Sequence, residues 1–226
     1  MEKILLGIPG LDEMLQGGVP RNHNILVAGG PGTGKTTFGM QYLYKGIKDY
    51  NEKGLFLSLE QKPEKIIEDL ESSYGWDLKK EVKNKNLIVQ SVDRYNFQNL
   101  LDICQSSVTQ LGVKRVVLDT VTMLRLFFKD NFEFRKGLFN LLDFLSSLDA
   151  TVVLTSERDY SLREDARFGL EEFIADGVIL LYNLPKRNER VSALEILKMR
   201  GTNHSRSIYP LQMTSIGLEV VPEEML

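Results

Sequence analysis

Short continuous apolar runs alternate along this chain with stretches whose apolar residues recur at helical spacing. That alternation predicts βαβ units, and hence a mostly parallel sheet with helices on its faces. Ile25-Leu26-Val27-Ala28 predicts a strand, Thr36 to Ile47 the helix after it, and Gly54-Leu55-Phe56-Leu57-Ser58-Leu59 the next strand. Pro63 suits the first turn of a helix whose buried face is Ile66, Ile67, Leu70 and Tyr74, with Gly75 at its end. Asn86 to Gln90 predicts a short strand, and Phe97, Leu100, Leu101, Cys104, Val108 and Leu111 mark one face of the following helix. Lys114 to Asp119 is another strand. Leu138, Leu141, Leu142, Leu145 and Leu148 give a further helix face, and Thr151 to Ser156 a buried strand.

From Gly177 the pattern changes. Two long runs, Gly177 to Leu184 and Val191 to Met199, flank the polar turn Pro185-Lys186-Arg187-Asn188-Glu189-Arg190, which is hairpin grammar. The expected fold is therefore α/β, a mostly parallel central sheet flanked by helices with a C-terminal antiparallel extension. A last strand is expected near Gly217 to Val221. With 226 residues and no repeat, low-complexity segment or linker, the length prior predicts one domain over residues 1–226.

Composition narrows the function classes. A net charge of −3, a pI near 5.6 and 42% hydrophobic residues describe an ordinary globular chain without a basic field for non-specific nucleic-acid binding. The lysine-rich piece Lys79 to Lys85 has no aromatic partners and reads as a solvated loop or helix end. The single cysteine, Cys104, falls on an apolar helix face and is expected in the core, consistent with a reducing compartment. Neither a cleavable leader nor a bilayer-long apolar run is apparent, so a cytoplasmic location without membrane attachment is the default expectation.

The candidate chemistry starts at Gly29-Gly30-Pro31-Gly32-Thr33-Gly34-Lys35-Thr36-Thr37, directly after the first predicted strand. The spacing G-x-x-x-x-G-K-[ST] lets backbone N–H groups turn inward around phosphates, with Lys35 reaching the β/γ oxygens and the Thr36 hydroxyl binding Mg²⁺. The helix that follows adds a dipole favourable to an anion. ATP or GTP binding is the resulting expectation.

Ligands of open α/β sheets lie beyond the carboxyl ends of the strands, so Glu60, Asp119 and the pair Thr155-Ser156 are expected to converge on the nucleotide. Asp119 ends an apolar strand where a P-loop protein places its Mg²⁺-holding carboxylate, the alternative being a helix N-cap. Glu60 is the water-activating candidate, the alternative being a surface cap where Glu60-Gln61-Lys62-Pro63 starts a helix. Thr155 and Ser156 read either as γ-phosphate sensors or as ordinary strand-terminating hydroxyls.

Several separated segments together resemble the KaiC-like branch of the RecA-type ATPases. They are Gly7 to Pro20, the cradle, Ser58-Leu59-Glu60-Gln61, Leu118 to Thr122, Thr155 to Arg158, Arg167 to Phe173 and Glu195 to His204. The late Lys-x-Arg-Gly-Thr-x-His segment is more selective than the cradle. The resemblance implies a RecA-type core that hydrolyses ATP and assembles into homo-oligomeric rings, usually hexamers, with ATP and Mg²⁺ held between subunits. It implies that Lys198 and Arg200 reach the triphosphate of the neighbouring subunit, with Thr202 and His204 beside the same interface; without it, Lys198 and Arg200 read as an exposed polar strand face.

Two departures stand out. Clock members of the family often carry two adjacent glutamates where this chain has Glu60-Gln61, which leaves Glu60 as the base. Their phosphorylated Ser-Thr pair aligns with Glu172-Phe173, so no autophosphorylation is expected at those positions.

The implied function is a nucleotide-driven regulatory module acting on an unknown protein partner. One alternative is a DNA repair or recombination accessory ATPase. Its support is the basic and aromatic run from Arg125 to Lys136, diluted by Asp130 and Glu133; the loop Glu157 to Arg167 mixes both signs, and nucleic-acid binding is the less favoured reading. The other alternative is a non-hydrolysing nucleotide-binding scaffold of a larger machine, such as an archaeal motility apparatus.

Overall fold

The computed structural model describes residues 2–92, 97–158, 169–186 and 189–222. The chain opens with β1 (Lys3–Ile4), α1 (Leu11–Met14) and β2 (Val19–Pro20), where β1 and β2 form a small antiparallel pair of their own. Next come β3 (Asn24–Gly29), α2 (Lys35–Tyr50), β4 (Lys53–Ser58), α3 (Pro63–Tyr74), α4 (Leu78–Lys83), β5 (Leu87–Ser91) and α5 (Phe97–Leu111). The second half holds β6 (Val113–Asp119), a 3-10 turn over Val121–Phe127, α6 (Asn131–Ser147), β7 (Thr151–Glu157), α7 (Leu170–Ile174), β8 (Gly177–Lys186), β9 (Glu189–Met199), β10 (Ile208–Thr214) and β11 (Gly217–Val220).

Among the described residues nine strands form one sheet in the order β11-β10-β9-β8-β3-β7-β6-β4-β5. Strands β8, β3, β7, β6, β4 and β5 run parallel to one another, and β9, β10 and β11 add the antiparallel extension. The architecture is the one the apolar pattern predicts, with two additions. The β1–β2 pair is too short to leave a pattern, and β10 contains Pro210, a residue that argues against a strand in sequence. Pro210 is accommodated because its only strand partner is Ala193 of β9, while pairing with β11 begins at Leu211. The polar turn at Arg187-Asn188, the loop residues 159–168 that include Arg163, Arg167 and Phe168, and the last residues from 223 lie outside the described residues.

The central strands are buried on both faces, and their alternate residues enter two separate cores. Ile25 and Val27 of β3 pack beneath α2 with Phe38, Tyr42, Leu43, Phe56, Val117 and Val153. Leu26 and Ala28 face the other way, towards Leu118, Leu138, Leu142, Val152, Leu154 and Cys104 of the α5–α6 side. Cys104 is core, as expected, and burial pushes its thiol pKa up to about 12. Among the described residues no helix is long and apolar enough to cross a membrane.

The foot of β6 carries a fully buried arginine. Arg115 donates from Nε to Glu52 at 2.7 Å and from Nη1 to the carbonyls of Leu5 and Tyr42 at 2.9 and 3.0 Å, and its guanidinium stacks 4.7 Å from the Tyr42 ring. Gly46 makes this fit possible. A Cβ there would lie 2.3 Å from Arg115 Cδ and Nε, so a residue that costs about 1 kcal/mol in a helix interior is required in α2.

Candidate active site

Strand β3 ends at Gly29, and the loop from Gly30 to Gly34 turns back into the first residue of α2, Lys35. Gly34 sits at φ +95°, a left-handed conformation that suits glycine, and a Cβ at Gly29 would meet Leu181 O and Thr33 Oγ1 at 2.6 Å. The loop is closed internally: Thr33 Oγ1 donates to Gly30 O at 2.9 Å, and buried Lys35 Nζ donates to the Gly29 and Gly30 carbonyls at 3.0 and 2.9 Å. Helix α2 is longer than the sequence pattern suggests, running from Lys35 to Tyr50, because Asn51 in the left-handed region closes it.

Parallel registry brings the other strand ends to this loop. Asp119 pairs opposite Ser58, Leu118 opposite Leu154, and Ala28 opposite Ser156. A cleft of about 390 Å³ results, lined by Pro31, Gly32, Gly34, Lys35, Thr36 and Thr37 of the loop and by Glu60, Gln61, Asp119, Thr120, Glu157 and Met213. Thr36 Oγ1 donates to Asp119 Oδ2 at 2.9 Å. A hydroxyl and a carboxylate so placed are hard oxygen donors, suited to a Mg²⁺ ion that keeps several waters and takes its remaining ligands from phosphate. The residues present therefore fit the ion that a P-loop uses.

The structure also separates the alternatives left open by sequence. Asp119 is not the N-cap of the turn after it; that position is Thr120, which makes no side-chain cap. Thr155 is fully buried and donates its hydroxyl to Asp119 Oδ1, so it holds the carboxylate rather than facing the cleft. Ser156 Oγ lies 3.4 Å from Thr122 Oγ1, which also accepts the Glu157 N–H at 3.0 Å. Glu60 lies exposed on the cleft wall just beyond β4.

Among the described residues that line the cleft, three carboxylates surround the single cation Lys35. Burial lowers the pKa of Lys35, and the carboxylates of Glu157, Asp119 and Glu60 pull it back up. Burial raises that of Asp119 against the hydrogen bonds from Thr155 and Thr36 and the charge of Lys35. Glu157, Thr120 and Met213 are cleft residues to which the sequence assigns no role, and Gln61, the departure beside Glu60, lines the cleft as well. Glu157 carries the same signal as Glu60, a carboxylate at the end of an apolar strand, one residue beyond Ser156. Met213 sits on β10, and a Cβ at Gly34 would approach its Cε to 3.1 Å.

Lys198 and Arg200 lie elsewhere. Met199 pairs with Gly177, which pairs with Ile25 at the start of β3, whereas the cradle begins at Gly29 opposite Leu181. Four residues of β3 separate the two levels, about 13 Å along the strands, and β8 intervenes across them. Arg200 Nη1 donates to Asp176 Oδ1 at 3.0 Å, and Asp176 in turn accepts from the Asn24 N–H at 3.1 Å. Lys198 does not share an exposed face with Arg200: it is half-buried, and its Nζ donates to the carbonyls of Ala175 and Glu172. Burial and the nearby Arg200 charge lower its pKa, against Asp176. The Thr202 hydroxyl is buried without a hydrogen-bond partner among the described residues, and His204 Nδ1 lies 2.8 Å from the Ser205 carbonyl.

The aromatic run is largely internal. Phe127 and Phe128 pack on Phe97 with ring centroids 6.0 and 5.0 Å apart, and Phe128 meets Phe134 edge-on at 5.9 Å. Arg125 is engaged by Glu171. Phe132 alone among the run's phenylalanines is strongly exposed, at 76%.

Comparison with known proteins agrees with this architecture. A family model described as "ATPase: KaiC" matches residues 4–225. The chain is 34% identical to the circadian clock oscillator protein KaiC of Parathermosynechococcus lividus, over 96% of this chain and 42% of that protein. It is 35% identical to that of Synechococcus elongatus, over 95% and 43%. The chain thus spans less than half the length of these relatives. The crystal structure of a KaiC-like protein from the archaeon Pyrococcus horikoshii OT3 superposes with a TM-score of 0.88 at 35% identity, covering 98% of this chain and 99% of that one. A match that runs from the first strand to the last, in sequence and in fold, means that the chain belongs to the KaiC family of RecA-type ATPases.

Proposed function

We propose that this chain hydrolyses ATP within a closed ring of identical copies, a hexamer by family expectation, with each ATP shared between two copies. The observation that carries the reading is the placement of Lys198 and Arg200 at the opposite end of the sheet from their own Lys35. A cation there cannot serve its own cleft, but a head-to-tail interface sets the foot of one sheet against the next copy's cleft, and such interfaces close into rings.

One copy would supply the cradle from Gly29 to Thr37, Glu60 to orient the attacking water, and Thr36 with Asp119 to hold Mg²⁺. The ion, when bound, neutralises charge on the β- and γ-phosphate oxygens. The neighbour would supply Lys198 and Arg200, with Thr202 and His204 alongside. Arg200 is free to make that move at small cost, because its ion pair with Asp176 is largely solvent-exposed, at 55% for the arginine side chain, and exposed pairs are worth about 0–1 kcal/mol. A finger arginine contributes about 10³–10⁵ in rate in other P-loop enzymes, so isolated copies should turn over poorly. Residues 1–226 act in this reading as one cytoplasmic regulatory domain, whose nucleotide cycle is read by a protein partner.

The test is complementation. Lys35→Ala and Arg200→Ala proteins should each be inactive alone. Mixed in equal amounts and co-assembled, about one interface in four pairs an intact cradle with an intact arginine, so about a quarter of the wild-type rate should return. No recovery in rings shown by native mass spectrometry to be mixed would overturn the shared site.

A further inference from the structure

Lys198 is aimed by main chain. Its ammonium donates to the carbonyl of Ala175, the C-cap of α7, and, at 3.4 Å, to that of Glu172, the middle residue of the helix. Helix α7 has five residues, too few to hold its own shape. Where those carbonyls lie is therefore decided by what α7 is fastened to.

Two buried carboxylates fasten it: Glu172, with Arg158 Nε 3.7 Å from its Oε1, and, more closely, Glu171. Its carboxylate is 2% exposed and takes Arg125 Nη2 on both oxygens, at 3.1 and 3.2 Å, with Nε at 3.3 Å from the first. Such a fork fixes direction as well as distance. Arg125 is itself held: Nη1 donates to Asn131 Oδ1 at 3.2 Å, and the guanidinium lies 4.8 Å from the Phe134 ring. Neither Arg125 nor Glu171 is among the residues that line the cleft around Lys35.

We infer that Arg125 and Glu171 are positioning residues for Lys198, and that they act on the ATP held by the neighbouring copy rather than on that of their own. The inference rests on the shared-site reading above. If α7 loosens, the two carbonyls no longer hold the ammonium in place, and a misplacement of about 1 Å in a catalytic group can cost about 10²-fold in rate. The loss belongs to kcat, with KM for ATP set by the intact cradle on the other side of the interface.

Mixed rings separate the two sides. In rings of Arg200→Ala chains, which donate the cradle, and Lys35→Ala chains, which donate the finger, every working site takes Lys198 from a Lys35→Ala chain. Adding Glu171→Gln to the Lys35→Ala chain should lower kcat at least about tenfold with KM little changed. Adding it to the Arg200→Ala chain should leave the rate of the mixture where it was. Arg125→Lys, which keeps the charge at a side chain 35% exposed but loses the fork, should show the same asymmetry.

Lys198 in the ligand-free Glu171→Gln protein should also be methylated faster than in wild type. Equal losses from both chains, a loss confined to the Arg200→Ala chain, or unchanged Lys198 reactivity would overturn the inference. A parental mixture without activity overturns the shared site and this inference with it; a working parental mixture without asymmetry overturns this inference alone.

Discussion

Thr36 and Asp119, 83 residues apart in the chain, are joined by a 2.9 Å hydrogen bond from the threonine hydroxyl to the carboxylate. The contact links the first turn of α2 to the tip of β6 at the floor of the cleft. Asp119→Asn should abolish Mg²⁺-dependent turnover while leaving the fold intact, because an amide keeps an acceptor for Thr155 and offers a donor to Thr36. Loss of Mg²⁺-dependent phosphate release, measured beside an unchanged circular dichroism spectrum, checks it.

The same substitution should stabilise the ligand-free protein, with a defined pH dependence. Burial raises the folded pKa of Asp119 above its usual 3.8, so the protonated form favours folding. That contribution is present in full below about 3.8 and is lost as pH rises through the folded value. Asp119→Asn removes the loss. Its Tm advantage should be absent in strong acid, grow as pH climbs through that window and stay constant above it, with each kcal/mol worth about 2–4 °C in a chain of this size. Calorimetry across pH reads this directly, and a constant offset at all pH values would contradict it.

Glu60 and Glu157 both face the cleft, and their substitutions should differ in kind. Glu60→Gln should lower kcat by about 10²–10⁴, the usual contribution of a positioned base, with ATP binding retained. Glu157 leads the carboxylates acting on Lys35, so Glu157→Gln should remove a charge that opposes the incoming triphosphate. Binding should tighten about threefold to tenfold at low salt, for about 1 kcal/mol at an exposed charge, with less effect at high salt. Titration with a non-hydrolysable ATP analogue separates the two.

Glu52 should matter for stability out of proportion to its position. Its carboxylate accepts from the fully buried Arg115 at 2.7 Å and from Arg21 at 3.0 Å. Glu52→Leu strands the Arg115 charge and should cost about 3–5 kcal/mol, whereas the double variant with Arg115→Met should recover much of it. Urea unfolding of the singles and the double measures the coupling.

Oligonucleotide binding should be weak and nearly independent of salt. Of the run from Arg125 to Lys136, Phe127, Phe128 and Phe134 are packed on one another or on Phe97, and Arg125 is committed to Glu171. A stacking surface for single strands needs those rings and that charge outside. The slope of log K against log salt should correspond to about one or two phosphates at most.

What the sequence made legible was local. The strand before the cradle, the helix after it and the polar strand ends at Glu60, Asp119 and Ser156 all follow from periodicity and one motif, because each is written in consecutive residues. Three things were not. β10 hides behind Pro210, which only the register with Ala193 accommodates. The role of Thr155 depends on which way a hydroxyl points at the end of a strand buried on both faces, and both faces read as apolar in sequence. The Arg125–Glu171 pair joins residues 46 positions apart and requires the fold to be known first. Only resemblance distinguished Lys198 and Arg200, the proposed finger residues, from an exposed polar face, and the register then placed them away from their own cradle.

Arg115 sits four positions before Asp119 on β6 and grips the carbonyl of Tyr42, in the same helix whose first turn carries Thr36. The lower part of the strand is thereby clamped to the middle of the helix, about 13 Å below the tip of β6. The spacing between Thr36 and Asp119, the oxygen pair proposed to hold Mg²⁺, is thus gauged from underneath, as the opening of a pair of tongs is set at the pivot. Exchanges at Arg115 or Gly46, far from any phosphate, would reset that opening and show up first as altered metal affinity.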